Sequence, residues 1–147
     1  MYEDMLIPYD GSEEGTKGVE HGLDLAAELD STVHALYVVD LPGAPRALSL
    51  RDDEETIREE YEAYGEEVLD EVRERAVDRG LDCETVIRSG PVSDRIVEYA
   101  ETEGMDVVVM GSAYRGKIGN LLGGTTNKVV RSTTVPVVSK RMEASEL

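Results

Sequence analysis

Five short strand-like runs alternate with longer stretches of helical period, and that alternation leaves few folds open to the chain. The runs are Met5–Tyr9, Val33–Val39, Cys83–Arg88, Val107–Met110 and Val135–Lys140. Val33–Val39 is continuously apolar after His34, and Val107–Met110 is apolar throughout. A strand with one wet face alternates polar and apolar residues, whereas an unbroken run suits a parallel sheet covered on both sides. Between the runs, Gly15–Leu29 carries Val19, Leu23, Ala26 and Ala27 at helical spacing. A long helix is expected from about Asp53 to Arg79. Ile57, Tyr61, Tyr64, Val68, Leu69, Val72 and Ala76 form its apolar stripe, and Gly80 stops it. Val92–Thr102 turns Ile96, Val97 and Ala100 inward and ends at Gly104, and Thr125–Ser132 is a last short helix. The pattern predicts a single α/β domain over residues 1–141, with a five-stranded parallel, doubly wound, Rossmann-like sheet and a polar tail at 142–147.

Ligands of such sheets bind beyond the carboxyl ends of the strands, where the strand order reverses. That rule brings Pro8, Tyr9 and Asp10, then Val38, Val39 and Asp40, then Met110 and Gly111 to one rim. Asp10-Gly11-Ser12 is a turn, with Ser12 as N-cap and Glu13 and Glu14 in the first helical turn. Asp10 has two readings: an acceptor for an adenine amino group or a ribose hydroxyl, or the side chain that closes an Asx-turn. After Met110 comes a glycine-rich loop ending in Gly123-Gly124-Thr125-Thr126, immediately before a helix. Strand, glycine-rich loop and helix start together present free N–H groups and a positive dipole end to an anion. The missing side chain of Gly111 is expected to let a ribose or phosphate approach the backbone. The two glycines and two threonines read equally well as a phosphate cradle and as a surface turn with a threonine cap. Gly111–Ile118 nearly spells a Walker A loop. However, Ile118 stands where a hydroxyl should meet magnesium, and Gly119 interrupts the required helix, so this match is a coincidence.

Charge narrows the choice of partners. Acidic residues outnumber basic ones by 32 to 15, giving a net charge of −17, and the lysines are Lys17, Lys117, Lys128 and Lys140. Such a polyanion is a poor match for nucleic acid or an anionic membrane. An acidic, lysine-poor surface suits a cytoplasm rich in salt, where screening suppresses self-repulsion, and a halophilic source is expected. Cys83 is the one cysteine, so no internal disulfide forms, and it reads as a small buried or half-buried residue. His21, His34 and Cys83 are scattered, which disfavours a zinc cluster or a Cys–His pair. Ser12, Ser112 and Thr125 have no general base beside them in sequence, so no catalytic residue is assigned. Met1–Asp4 does not read as a signal peptide and the apolar runs are too short to span a bilayer, so the expected location is the cytoplasm.

The segments Met5-Leu-Ile-Pro-Tyr-Asp-Gly-Ser12, Ala35-Leu-Tyr-Val-Val-Asp40, Val107-Val-Val-Met-Gly-Ser112, Leu121-Leu-Gly-Gly-Thr125 and Val135-Pro-Val-Val138 occur in this order. Together they resemble the universal stress protein family over nearly the whole chain, to about Lys140. The resemblance implies a five-stranded parallel sheet of the adenine-nucleotide alpha hydrolase-like type. It also implies a sensor or regulator of stress response that binds ATP, with Mg2+ or Mn2+ as companion metal. By resemblance Pro8, Tyr9 and Asp10 line the adenine and ribose, and Val38 meets adenine through its backbone. Met110 and Gly111 lie against the ribose and phosphates, and Gly124, Thr125 and Thr126 hold the phosphates. Arg115 is expected, from its charge alone, to compensate them. The binding members have a glycine where this chain has Tyr114, whose ring would crowd the phosphates. Two alternatives follow: the same fold with an empty site, serving as a dimeric interaction module, and a slow nucleotide hydrolase using Asp10 and a metal. The resemblance further implies a homodimer through Val135–Lys140, and an exposed apolar edge strand is what a partner would cover.

Overall fold

The computed structural model describes residues 1–41, 51–112 and 124–142. Strands and helices alternate as β1 (Asp4–Pro8), α1 (Glu13–Leu29), β2 (Thr32–Val39), α2 (Arg51–Asp78), β3 (Cys83–Ser89), α3 (Val92–Thr102), β4 (Val107–Ser112), α4 (Thr125–Ser132) and β5 (Val137–Arg141). The five strands form one parallel sheet in the order β3-β2-β1-β4-β5. From β1 the chain winds outward through β2 to β3, then returns to lay β4 on the other side of β1 and β5 beyond it. The strand order therefore reverses between β1 and β4.

Successive strand residues point to opposite faces, so each strand feeds two cores. Met5 and Ile7 of β1, Tyr9 just after it, Val33, Ala35, Tyr37 and Val39 of β2, and Val107 and Val109 of β4 pack against α1 and α2. Leu6, Leu36, Val108 and Met110 point the other way, onto Ile96, Tyr99 and Ala100 of α3 and Val129 of α4. Both faces are covered, which is why the central strands are apolar without alternation. Fully buried Leu6, Leu23 and Leu36 each contribute roughly 1.5–3 kcal/mol relative to exposure.

The helix ends are set locally. Ser12 Oγ accepts the Gly15 N–H at 3.0 Å and caps α1. At the other end Asp30 takes a left-handed conformation (φ 57°), one that Asp tolerates better than most residues. Gly80, just past α2, has φ 74° as its stop position requires.

The predicted apolar stripe of α2 is only half used. Val68, Leu69, Val72 and Ala76 are buried, but Ile57, Tyr61 and Tyr64 remain 44%, 39% and 43% exposed. The reason is length. A helix of 28 residues extends about 42 Å, while β2, with eight residues, covers about 26 Å. The first turns of α2 therefore run past the carboxyl edge of the sheet, where there is no core to enter. The last strand also starts later than predicted, at Val137. Pro136 has no N–H to donate, although its carbonyl accepts from Val108 N–H at 2.9 Å. Met142, placed in the predicted polar tail, is buried and donates its N–H to the Ser112 carbonyl.

Candidate functional site

A cleft of about 660 Å³ lies along the carboxyl rim of the sheet at the β1–β4 switch point, a size and position suited to a small-molecule ligand. One end is apolar, formed by Pro8 of β1, Leu36 and Val38 of β2, and Val92 and Ile96 of α3. The other end is polar, formed by Ser112 of β4, Gly124, Thr125, Thr126 and Asn127 at the start of α4, and Ser139 and Arg141 of β5. Met110 and Gly111 lie between the two ends, and the start of α1 contributes Asp10, Ser12, Glu14 and Gly15.

The apolar end has a readable main-chain edge. Tyr9 N–H donates to the Leu36 carbonyl at 2.9 Å, so Leu36 points its peptide groups toward β1. Two residues on, Val38 points the same way, where β1 has already turned into Asp10-Gly11. The ring of Tyr9 belongs to the opposite core, and its hydroxyl pairs with Thr16 Oγ1 at 2.8 Å. Burial pushes this phenol above its ordinary range, and the Thr16 bond only partly offsets the effect. Tyr9 thus reaches the cleft at its edge while its ring lies in the opposite core.

Asp10 is committed to the turn. Its Oδ1 accepts the Ser12 N–H at 2.9 Å and the Ser12 hydroxyl, while the same hydroxyl oxygen accepts from Gly15. The Asx-turn is therefore what is built, with the carboxylate still exposed at the rim. Gly11 has φ 86°, and the Tyr64 hydroxyl of α2 occupies the place a Cβ would take.

The structure corrects the reason given above for Gly111. A Cβ there would lie 1.7 Å from the Glu14 carbonyl oxygen, and one on Gly18 would lie 2.3 Å from the Gly111 nitrogen. The missing side chain thus makes room for α1, packed backbone against backbone on the end of β4, and not for a ligand. Gly111 faces the cleft with its main chain only.

At α4 the threonine-cap reading does not hold. Gly124 is the N-cap (φ 44°), and among the described residues no side chain caps the helix start. Thr126 donates its hydroxyl to the Gly111 carbonyl at 3.2 Å, which ties the first turn of α4 to the end of β4. The uncapped amides of α4 open on the polar end of the cleft, an arrangement that favours an anion. Across the strands, Ser112 Oγ and Ser139 Oγ are 3.0 Å apart, and Arg141 is the register partner of Ser112.

The rim rule named Pro8, Tyr9, Asp10, Val38, Val39, Asp40, Met110 and Gly111, and the resemblance added Gly124, Thr125 and Thr126. All of these line the cleft except Asp40 and Val39, the latter buried in the core against α1 and α2. Sequence reasoning missed the α3 wall, Asn127, Ser112, Ser139 and Arg141. Period-2 alternation along β5 could have paired Ser139 with Arg141, but only the strand order puts that pair beside β4. Arg115 and Tyr114 lie outside the described residues.

Other reactive groups sit elsewhere. His34 is buried near the amino end of β2, with Nδ1 2.9 Å from Tyr99 Oη and Nε2 3.0 Å from Asp4 Oδ1. The Cys83 thiol, at the start of β3, is pushed up by burial, which opposes a nucleophilic role. Among the described residues no group of three or more His, Cys, Asp or Glu side chains could hold a metal ion. None of the described helices is long and apolar enough to cross a membrane.

Comparison with known proteins agrees on one family. The model of the universal stress protein family matches residues 1–139. Universal stress protein MJ0531 of Methanocaldococcus jannaschii is 33% identical over 144 residues, covering 94% of this chain and 81% of that protein. Among solved structures, a universal stress protein family member from Burkholderia pseudomallei superposes with a TM-score of 0.77 at 23% identity, over 94% of this chain and 95% of its own. A family member from Arabidopsis thaliana, solved with AMP bound, gives 0.71 at 19% identity, over 97% and 94%. At these identities the two structures establish a shared fold.

Proposed function

The chain belongs to the universal stress protein family, and from that premise we propose that its rim cleft binds an adenine nucleotide, ATP by preference, and that the protein acts as a sensor or regulator in stress response. The observation that carries the proposal is the polarity of the cleft: an apolar slot at one end and the uncapped start of α4 at the other. Adenine fits between Pro8, Leu36 and Val38 on the sheet and Val92 and Ile96 on α3. The main-chain edge of Val38 then faces the hydrogen-bonding rim of the base. The ribose comes to lie over Met110 and Gly111, within reach of the exposed Asp10 carboxylate. The phosphates meet the amides of Gly124, Thr125 and Thr126. AMP in the Arabidopsis thaliana relative is in keeping with this assignment.

Mg2+ or Mn2+ fits as a passenger on the phosphates. Such ions need only one or two protein carboxylates beside the phosphate oxygens, and Asp10 and Glu14 both line the cleft. Among the described residues no side chain is positioned as a general base toward the polar end, and the proposal is binding without efficient turnover. The exposed edge of β5 is the proposed homodimer surface, and the cytoplasm the proposed location.

The test is to purify the protein in high salt, denature it and identify any released nucleotide by chromatography. ATP or ADP near one per chain supports the proposal. No released nucleotide, together with no uptake of Mg-ATP on titration in the same salt, overturns it and leaves the empty-site interaction module.

A further inference from the structure

We propose that Arg141 reads the length of the phosphate chain and makes the cleft select di- and triphosphates over monophosphates, an inference that rests on reading the cleft as a nucleotide site. The sheet provides a ruler. The apolar end stands on β2 and β1, Met110 and Gly111 on β4, and Ser139 and Arg141 on β5. Neighbouring strands are about 4.8 Å apart, so the three steps from β2 to β5 span roughly 14 Å. A nucleotide laid base-first along this line puts its α-phosphate over β4 and the start of α4. Only a longer phosphate chain continues to β5.

Arg141 is placed to meet it. In the β4–β5 ladder Met110 pairs with Ser139 and Ser112 with Arg141. Val137, two residues before Ser139, packs with the core on the α3/α4 face, so Ser139 and Arg141 share that face and both line the cleft. The 3.0 Å contact between Ser112 and Ser139 Oγ atoms sets two hydroxyls on the stretch of cleft wall that Arg141 also lines.

Charge gives the arrangement its selectivity. Among the described lining residues Arg141 is the cation, while Asp10 and Glu14 add negative charge at the same rim. On a chain of net charge −17, every further phosphate meets more repulsion unless a cation answers it locally. A guanidinium does so with a planar fork that matches two phosphate oxygens. Arg141 is exposed in the free protein, so its effect is salt-dependent.

Equilibrium dialysis of AMP, ADP and ATP against the wild type, Arg141→Gln and Arg141→Lys tests the inference, with each run made in EDTA and again in excess Mg2+. Arg141 is solvent-exposed, and a thermal melt confirms that each variant is folded. In the lowest salt that keeps the protein folded, Arg141→Gln is expected to weaken ATP binding by about tenfold and AMP binding by less than about twofold, with ADP between them. Arg141→Lys recovers part of the ATP affinity, and the discrimination shrinks as KCl is raised. Equal losses for all three nucleotides, or no loss for any, overturn the role of Arg141 while leaving the nucleotide site standing. A wild type that takes up none of the three in either medium removes the site itself, and the inference with it.

Discussion

Replacing Gly111 with alanine separates two reasons for a glycine at the end of β4. If the glycine served only to admit a ligand, the variant would lose binding and keep its stability. The structure implies the reverse order of importance. The added Cβ would lie 1.7 Å from the Glu14 carbonyl oxygen and 2.6 Å from its carbon, both backbone atoms that cannot rotate aside. Ordinary contact begins near 3.4 Å, so the start of α1 would have to retreat by more than an ångström. That helix is held by Val19, Leu23 and Ala26, all essentially fully buried, and by the Ser12 cap. Overpacking against such a rigid neighbour costs about 3 kcal/mol, the upper end of the usual range. For a chain of 147 residues this corresponds to a fall in Tm of roughly 6–12 °C. The assay is thermal unfolding followed by circular dichroism in nucleotide-free buffer at fixed KCl. Gly80→Ala is the control: a Cβ there meets nothing within 4 Å, and only its φ of 74° is strained, at a cost of about 1 kcal/mol. A Gly111→Ala melt within about 1 °C of wild type would refute the packing argument.

Three further outcomes follow from the same structure. Tyr61→Ser, on the overhanging part of α2, should cost less than about 0.5 kcal/mol in urea unfolding, whereas Val72→Ala on the same stripe should cost about 2–3 kcal/mol. Burial holds the phenols of Tyr9, Tyr37 and Tyr99 above their unfolded value near 10, so the folded chain keeps protons that the unfolded chain releases. Their contribution is complete below pH 10 and is lost as pH rises beyond it. Tyr37→Phe should flatten the alkaline limb of a stability–pH profile, and an unchanged slope would contradict this assignment. Finally, the charge of −17 should make folding salt-dependent: refolding yield should rise steadily into molar KCl, and full stability in dilute buffer would argue against the halophilic reading.

The alternation of elements and the rim residues were legible in the sequence because they follow from periodicity and from one topological rule. Val33–Val39 and Val107–Met110 advertise their double burial, and Gly80 and Gly104 mark helix ends with the positive φ that such ends need. What was not legible depends on through-space relations. The exposure of Ile57, Tyr61 and Tyr64 follows from the length of α2 relative to the strands, which an apolar stripe does not reveal. The place of Ser139 and Arg141 in the cleft follows from β5 lying beside β4. The turn formed by Asp10 and Ser12 was visible locally, yet the direction of the Tyr9 ring was not, because it depends on which face of β1 meets α1.

The glycines make the sharpest case that core and site cannot be treated apart here. Gly18 and Gly22 of α1 point at the sheet: a Cβ on Gly18 would meet the Gly111 backbone, and one on Gly22 would lie 2.7 Å from Ile7 Cδ1. A helix with larger residues at these positions would stand further off the sheet. Its first turn would then move away from the β1–β4 switch point, taking with it Ser12, Glu14 and Gly15, which now wall the cleft. Gly15 adds a third constraint, since its missing Cβ leaves room for Asp10 Oδ1, 2.8 Å from where that atom would sit. The close approach of α1 therefore serves the hydrophobic core and positions the rim at the same time. At Gly111, read from sequence as ligand chemistry, and equally at Gly18 and Gly15, the absent side chain is first a condition for bringing the helix near enough to build the site.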